Sequence, residues 1–220
     1  MSRRDLLCDT AIQILAVEGG RGLTHRAIDR EAGVPIGTTK NYFPTREKIL
    51  EACAARMTSL HRAAVDRLRE TTPADISPAD VAELYPALLR RAVADDPTQM
   101  LAMVELYLEA VRRPGVREAL SGMVLANAEA GAALQQAAGL PSTVRDTGLL
   151  DAYFLGVAIS LLALPVETLK TVGLDDPYAL GIGVFSATVP NPAGPDSAGP
   201  DSVRPGPVEA PAQQRSARSR

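Results

Sequence analysis

The sequence predicts an all-α fold, and three observations lead to this conclusion. Apolar residues recur at helical spacing along most of the chain, whereas the alternating runs typical of strands are few. Alanine and leucine are abundant, and aromatic residues make up only 4% of the 220 residues, which favours helices over sheets. Proline and glycine divide the chain at intervals that suit helices. With 46% apolar and 22% charged residues, the chain is predicted to be a soluble globular protein of one or two domains.

The first part of the chain is predicted to start with two amphipathic helices. The first covers residues 4–18, with Leu7 and Ile14 on its apolar face. The glycines at positions 19, 20 and 22 end it, because glycine readily adopts the left-handed conformation found at helix C-termini. Thr24 is a candidate N-cap for the second helix, which ends at Gly33.

Residues 34–43 are predicted to form a third helix that has few core residues. Pro35 suits the first turn, where its missing N–H costs nothing, and Gly37 removes bulk from the exposed face at about 1 kcal/mol of helix propensity. Residues 38–41 (Thr, Thr, Lys, Asn) project small polar or cationic groups. Such a helix is suited to close approach to another surface. Residues 45–70 then form a long fourth helix, with Thr45 as its cap.

Proline and glycine also divide the rest of the chain into helices. They are predicted over residues 78–94, 98–112, 115–138, 144–164 and 176–187, which makes nine helices in all. The predicted organisation is a head over residues 1–48, a helical regulatory and dimerisation domain over 49–189, and a disordered Pro, Gly, Ser and Arg tail over 190–220.

Charge is distributed unevenly along the chain. Residues 1–70 carry 12 basic and 9 acidic side chains, residues 71–189 carry 7 and 14, and the tail carries 4 and 3. A basic head on an acidic body is typical of a DNA-binding protein, although a mixed solvated surface is the alternative explanation. The arginines near the C-terminus could add sequence-independent attraction to DNA, but a solubilising extension is the preferred interpretation.

The stretch GLTHRAIDREAGVPIGTTKNYFPTREKIL, residues 22–50, combines several specific features. It has a Leu-Thr opening of the second helix, an Ala-Gly-Val turn, a Gly-Thr helix, and Tyr-Phe-Pro before a new helix. Over about residues 4–50, the chain resembles the N-terminal helix-turn-helix signature of the tetracycline-repressor (TetR) family of bacterial transcription regulators. The resemblance implies a nine-helix architecture with a DNA-binding head and a C-terminal bundle for ligand binding and dimerisation, and it implies no cofactor.

Two residues depart from the usual family pattern. Thr39 and Lys40 stand where the family often has an apolar residue followed by tyrosine. We expect Thr39 to anchor the recognition helix less well to its own core. We expect Lys40 to replace an aromatic contact with a mobile charge.

The predicted DNA contacts lie on the third helix and at the starts of the second and fourth. They are Thr24, His25, Arg26, Thr38, Thr39, Lys40, Asn41, Tyr42 and Arg46. Asn41 could read adenine, and Lys40 could bind guanine or a phosphate. Arg26 and Arg46 are expected to contact phosphates, with intramolecular pairing to Asp29 or Glu47 as the alternative. The aromatic pair at 42–43 is expected to stabilise the head as well, with Phe43 in its core.

The helix at 144–164 is apolar around more than one stripe, more than a peripheral helix of a monomer should bury. Its predicted dimer-interface residues are Leu150, Tyr153, Phe154, Val157, Leu161 and Leu164. The resemblance implies a homodimer that binds an inverted-repeat DNA operator, because two-fold symmetry presents two recognition helices to successive major grooves.

The resemblance also implies a small effector held between the helices of the body, and the residues favour an apolar or mildly polar organic molecule. The candidates are Met57, His61, Tyr85, Met100, Met103, Tyr107, Met123 and Asn127. Methionine is adaptable, and the polar tips supply a few hydrogen bonds. The simpler alternative is that the Met and Tyr residues belong to the core and that His61 faces solvent.

Other function classes are disfavoured. The two histidines have no metal-spaced partner, no phosphate loop is present, and the carboxylates of Glu105 and Glu109 are expected to lie on a solvated face, so neither an enzyme nor a metal site is predicted. Cys8 and Cys53 are expected to be buried thiols in a cytoplasmic protein. The apolar run at 153–166 is about four residues short of a membrane span and is predicted to be buried, so no membrane partner is expected. The competing function is a helical protein-interaction module with a degenerate head.

Overall fold

The computed structural model describes residues 2–71 and 76–189. Within these ranges the chain is helical and has no strand, as predicted, but it has ten α-helices instead of nine. They are α1 (Arg3–Gly22), α2 (His25–Glu31), α3 (Thr38–Tyr42), α4 (Arg46–Thr71), α5 (Pro78–Arg90), α6 (Thr98–Ala110), α7 (Pro114–Ala137), α8 (Val144–Ala163), α9 (Val166–Val172) and α10 (Pro177–Thr188). The tail predicted to be disordered, 190–220, lies outside the described residues.

Two helices differ locally from the prediction. The additional helix, α9, is a short segment between Pro165 and Gly173, and Gly173 ends it in the left-handed conformation with φ 72°. Its seven residues make a weak sequence signal. The helix predicted over 78–94 ends at Arg90, and a π-helical turn, Arg91–Asp95, follows it.

The head consists of α1, α2 and α3 packed on the first part of α4. Gly19 interrupts α1 with φ 67° and ψ −175°, which confirms that the helix proper ends at the glycine-rich segment. Leu7, Ile28 and Phe43 are almost fully buried in the core of the head. Cys8 and Cys53 are free and buried in the same core, as predicted.

The core of the head continues without interruption into the body. Leu106 of α6 and Met123 of α7 belong to the same cluster of buried residues as the head. Helix α1 packs mainly on α6, and α4 packs mainly on α7. The position of the head is therefore fixed by contact with two body helices, and any displacement of α6 or α7 bears directly on it.

A second core joins α5, α8 and α10, with Val81, Leu150 and Phe185 at its centre. Helix α10 approaches α5 closely at Gly181, where a Cβ would lie 2.6 Å from the backbone nitrogen of Pro86. Glycine is required here because no larger side chain fits between the two backbones.

Helix α8 corrects the expectation that the apolar run at 153–166 is buried and too short for a membrane span. The helix has 20 residues and, by length and composition only, is the one helix in the described ranges that could cross a membrane. Only Thr147, Leu150 and Ala158 of α8 are fully buried by the chain itself, and the rest of the helix is half-buried or exposed. The exposed remainder is an apolar surface without a partner in one chain.

Candidate nucleic-acid interface and regulatory core

The short helix α3 is held in place by a buried carboxylate from α2. Asp29 is 1% exposed. It accepts hydrogen bonds from Gly37 N at 2.7 Å, Thr39 N at 2.8 Å and Thr39 Oγ1 at 2.6 Å. Burial opposes ionisation, but these bonds, together with the nearby His25, hold the pKa of Asp29 below its ordinary value. The carboxylate thus accepts hydrogen bonds from the unpaired backbone N–H groups at the start of α3 and fixes the orientation of that helix.

Two expectations about Thr39 are therefore wrong. Its side chain is 0% exposed, so it does not belong to the DNA-facing surface. It also does not weaken the anchoring of α3, because both its hydroxyl and its backbone N–H donate to Asp29. A threonine at this position replaces apolar packing with hydrogen bonds to a buried acid.

The start of α3 also differs from the prediction. The helix begins at Thr38, so Pro35 lies before its first turn, and Gly37 is its N-cap with φ 93°. A Cβ at Gly37 would meet nothing within 4 Å. Glycine is needed at 37 for its left-handed backbone, not for the removal of bulk from the helix face.

The exposed side of α3 presents a small set of candidate contact groups. Lys40 and Asn41 are exposed, and Tyr42 is 42% exposed. Thr38 is half-buried, and its hydroxyl donates to Pro35 O at 2.6 Å. Ile36, which the sequence analysis did not select, is 85% exposed beside this helix. An aliphatic side chain so placed has no core to join and is suited to an apolar groove contact.

The three predicted contact residues at the start of α2 have different surroundings. Thr24 caps the helix as predicted and accepts a hydrogen bond from Ala27 N at 3.1 Å. His25 Nε2 lies 2.6 Å from Phe43 O, so this nitrogen joins α2 to the end of α3 and is not available to DNA. Arg26 is exposed, and no ion pair involves it among the described residues. Asp29 is not its partner, since that carboxylate binds α3.

The predicted role of Arg46 as a phosphate contact is contradicted by its internal bonds. Its guanidinium donates to the carbonyl oxygens of Gly20 and Leu23, the latter at 2.6 Å. It also pairs with Glu109 of α6 at 2.7 Å. The alternative of an intramolecular pair was correct in kind, but the partner is Glu109 and not Asp29 or Glu47. Arg46 therefore connects the end of α1 to the body.

The carboxylates predicted to lie on a solvated face of α6 instead contact the head. Glu105 accepts a hydrogen bond from Gly20 N at 2.8 Å. Glu109 binds Arg46 and also Arg113, whose Nε lies 2.7 Å away. Although burial opposes ionisation, Arg113 and Arg46 hold the pKa of Glu109 below its ordinary value. Helix α6 is thus attached to the C-terminal end of α1 by the Glu105 carboxylate directly and by the Glu109 carboxylate through Arg46.

The predicted effector residues separate into two groups. Met57 and Met123 are buried in the core shared with the head, and Met103 packs against it, so these three serve structure. Met100 is buried in a smaller cluster of the body. Tyr85 is buried as well, and its hydroxyl accepts from Gln135 Nε2 at 2.9 Å.

The second group, His61, Tyr107 and Asn127, lies outside these buried clusters. His61 is exposed on α4, and partial desolvation by the surrounding protein lowers the pKa of its imidazole. Tyr107 is 37% exposed and lines an open groove of about 700 Å³ between α6, α7 and α8. Asn127 has a buried Oδ1 with no hydrogen-bond partner.

The body also contains an acidic residue that the sequence analysis missed. Asp151 lies on α8 and is half-buried. Burial raises its pKa to about 6. A signal was present in the sequence, because Asp151 is the one charged residue of α8 after Asp146, and a charge in such an apolar stretch is rare unless it has a role.

The C-terminal part of the chain matches a known family. A family model described as the tetracyclin repressor-like C-terminal domain matches residues 76–179. This match covers the body from α5 into α10, and the helix-turn-helix head precedes it in the same chain. The chain belongs to the TetR family. Members of the TetR family are transcriptional regulators and, in general, not enzymes.

Solved structures of TetR-family regulators share this fold. The multidrug binding protein EbrR, complexed with ethidium, is 25% identical over 86% of this chain and 100% of that chain, with a TM-score of 0.62. A TetR-family member from Streptomyces coelicolor A3 is 26% identical over 87% and 100%, with a TM-score of 0.59. A transcriptional regulator from Rhodococcus sp. Rha1 is 16% identical over 86% and 98%, with a TM-score of 0.63, which shows the fold alone. No curated protein matches the chain significantly.

In this TetR-family chain, the predicted dimer residues divide between its own core and an exposed face. Leu150 is 0% exposed and belongs to the α5, α8 and α10 core, so its assignment to an interface is wrong. Phe154, Val157 and Leu161 are half-buried against the chain's own core. Tyr153 and Leu164 are exposed.

The exposed apolar face of α8 continues onto α10. A groove of about 500 Å³ lies between the two helices, and small residues line it, including Gly156 of α8 and Gly183 of α10. We call this surface the α8/α10 face. Small residues along two adjacent helices allow the close approach of a further helix.

Proposed function

We propose that this TetR-family regulator binds DNA in a sequence-specific manner as a homodimer and represses transcription until a small organic effector lowers its affinity for the operator. Its place of action is the cytoplasm, where bacterial DNA is accessible to it. The observation that carries the proposal is the arrangement of α3, which a buried carboxylate holds firmly while its opposite side presents polar groups to solvent.

The exposed groups of α3 suit contacts in the major groove. Lys40 can donate to guanine O6 and N7 or to a phosphate, and Asn41 can bind adenine through two hydrogen bonds. Ile36 is placed for the methyl group of thymine. Arg26 and the N-terminus of α2 are suited to backbone phosphates, which position the protein without specifying sequence. The firm anchoring of Thr39 argues against a degenerate head.

The α8/α10 face supports the homodimer. Tyr153 is 52% exposed on this face, and an apolar surface of this kind is rarely left open in a soluble monomer. Two-fold pairing of the face would place two α3 helices to read half-sites about 34–36 Å apart, which requires an inverted-repeat operator.

The contacts between α6 and the head support regulation by an effector. Glu105 and Glu109 connect α6 to Gly20 and Arg46, so a molecule that shifts α6 changes the position of the head. A ligand changes DNA affinity only if it binds the DNA-competent and released arrangements differently. The similar multidrug binding protein EbrR has been solved in complex with ethidium, which supports an organic molecule as the effector of the present protein.

The proposal is tested by selecting bound sequences from a random duplex library with the full-length protein. We expect an enriched inverted repeat. Lys40→Ala and Asn41→Ala should each weaken binding to the selected site about tenfold or more, with little change on random DNA, since a base contact contributes roughly 1–3 kcal/mol of discrimination. Lys170→Ala, the same substitution on the exposed surface of α9, is the matched control. Failure to enrich any sequence would favour the interaction-module interpretation.

A further inference from the structure

Asp151 is an acceptor without a partner inside the regulatory body. None of the described residues gives its carboxylate a hydrogen bond or an ion pair, and burial raises its pKa to about 6. At neutral pH the group is nevertheless mostly ionised. A half-buried carboxylate without a counter-charge is costly, and proteins usually retain such a group for binding or chemistry.

Two tyrosines from neighbouring helices lie within electrostatic range of this charge. Tyr85 of α5 and Tyr107 of α6 are both close enough to Asp151 for its negative charge to help raise their pKa values, although burial is the larger cause for each. Both phenols therefore stay neutral throughout the physiological range. Their rings supply aromatic surface within electrostatic range of the carboxylate, which is favourable for a cation.

A second unpartnered acceptor lies at the same level of the bundle. Thr147 of α8 packs against α7 at Gln135, 3.5 Å away, and next to Gly131. Helices α7 and α8 are antiparallel. Asn127 lies one turn before Gly131 on α7, and Asp151 lies one turn after Thr147 on α8, so these two residues are at the same height along the bundle. The Oδ1 atom of Asn127 is buried and has no donor.

A groove large enough for a ligand opens one helical turn from Asn127 and Asp151, neither of which lines it directly. The groove of about 700 Å³ is lined by Tyr107 of α6, Val124 of α7 and Gly148 of α8, and the last two lie one turn before Asn127 and Asp151. This volume suits a drug-sized molecule. Arg117 also lines the groove, but its guanidinium donates to the carbonyl oxygens of Ala110 and Val111 at the end of α6.

We propose that the effector is an aromatic organic cation whose charge is neutralised by Asp151, while Asn127 Oδ1 accepts a hydrogen bond from it and Tyr107 contacts its ring. This inference rests on the proposed function, because it names the chemical class of the effector. It replaces the apolar or mildly polar molecule that the sequence favoured. A neutral ligand would cover the carboxylate without pairing it, whereas a cation supplies the missing charge.

The test is a fluorescence titration of the full-length protein with ethidium in the absence of DNA. Ethidium is a permanent cation, so any pH dependence reports on the protein. We expect saturable binding at pH 8 and at least tenfold weaker binding by Asp151→Asn. Between pH 8 and pH 5 the ionised fraction of Asp151 falls about tenfold, so wild-type affinity should fall about tenfold, while that of Asp151→Asn stays unchanged.

Two controls separate charge recognition from other effects. Asp175→Asn, at an exposed position, should bind ethidium like the wild type. Phenanthridine, the uncharged parent ring system at pH 8, should bind Asp151→Asn at least as tightly as it binds the wild type, because it gains nothing from the carboxylate. Equal ethidium affinities of the wild type and Asp151→Asn, or no saturable binding by the wild type, would overturn the inference. If the same preparation still selects an inverted repeat from random DNA, the proposed function stands and only the cation assignment fails.

Discussion

Replacing Asp151 by asparagine should stabilise the protein, and the gain should depend on pH. The carboxylate has a pKa of about 6 in the folded chain and an ordinary value of 3.8. The folded state therefore holds the proton more tightly than the unfolded chain, so ionisation costs stability once the pH rises above the unfolded pKa. This free-energy cost reaches its full value once the pH is above the folded-state pKa. At about 1.36 kcal/mol per pH unit, it reaches about 3 kcal/mol at pH 8 and about 0.5 kcal/mol at pH 4.

Urea denaturation at the two pH values, at one fixed protein concentration, measures this difference. Asp151→Asn should gain about 2–3 kcal/mol in the free energy of unfolding at pH 8, and the gain should shrink to a few tenths at pH 4. The exposed control Asp175→Asn should change stability by less than about 0.5 kcal/mol at either pH. A loss of stability at pH 8, or a gain of equal size at both pH values, would refute the account of Asp151 as a destabilising, unpaired charge.

Three further outcomes follow from the packing. Asp29→Asn places an amide donor against the N–H groups of α3 and should cost about 2–3 kcal/mol of stability, together with most operator affinity in a mobility-shift assay, whereas the exposed Glu31→Gln should change neither. Gly181→Ala should cost about 3 kcal/mol in thermal unfolding because its Cβ would meet α5, but Gly122→Ala, with open space, should be neutral or stabilising. Tyr153→Arg should shift sedimentation from dimer to monomer, and an unchanged dimer would place the interface elsewhere.

The sequence was sufficient to predict the helices of the head, but not the starting residue of the shortest one, α3, or which of its side chains face the core. The residues 34–43 contain both a proline and a glycine, and a helix starting at Pro35 or at Thr38 satisfies the pattern equally well. The true start turns Thr39 inward, and the five-residue length of α3 leaves no periodicity from which to detect this. The buried Asp29 was a readable signal, because an acid in the last turn of a helix is disfavoured by the helix dipole unless it has partners.

Contacts between distant segments could not be predicted. The pair of Arg46 and Glu109 joins residues 63 positions apart, and nothing local distinguishes either side chain from a solvated one. In α8 the difficulty was of another kind, since an apolar residue lies on almost every side of the helix. The stripe containing Leu150 and the one containing Tyr153 look alike in sequence, and only the positions of α5 and α10 decide which is covered.

The most direct test of the central claim compares the selected operator with the same duplex in which one half of the inverted repeat has been scrambled. If two α3 helices of one dimer read the two halves, affinity should fall about 100-fold or more, because each mismatched base pair costs roughly 1–3 kcal/mol. Sedimentation should show two chains on the intact site. Equal affinity for the intact and scrambled duplexes, or one chain bound per site, would contradict the proposal of a dimeric, sequence-specific regulator.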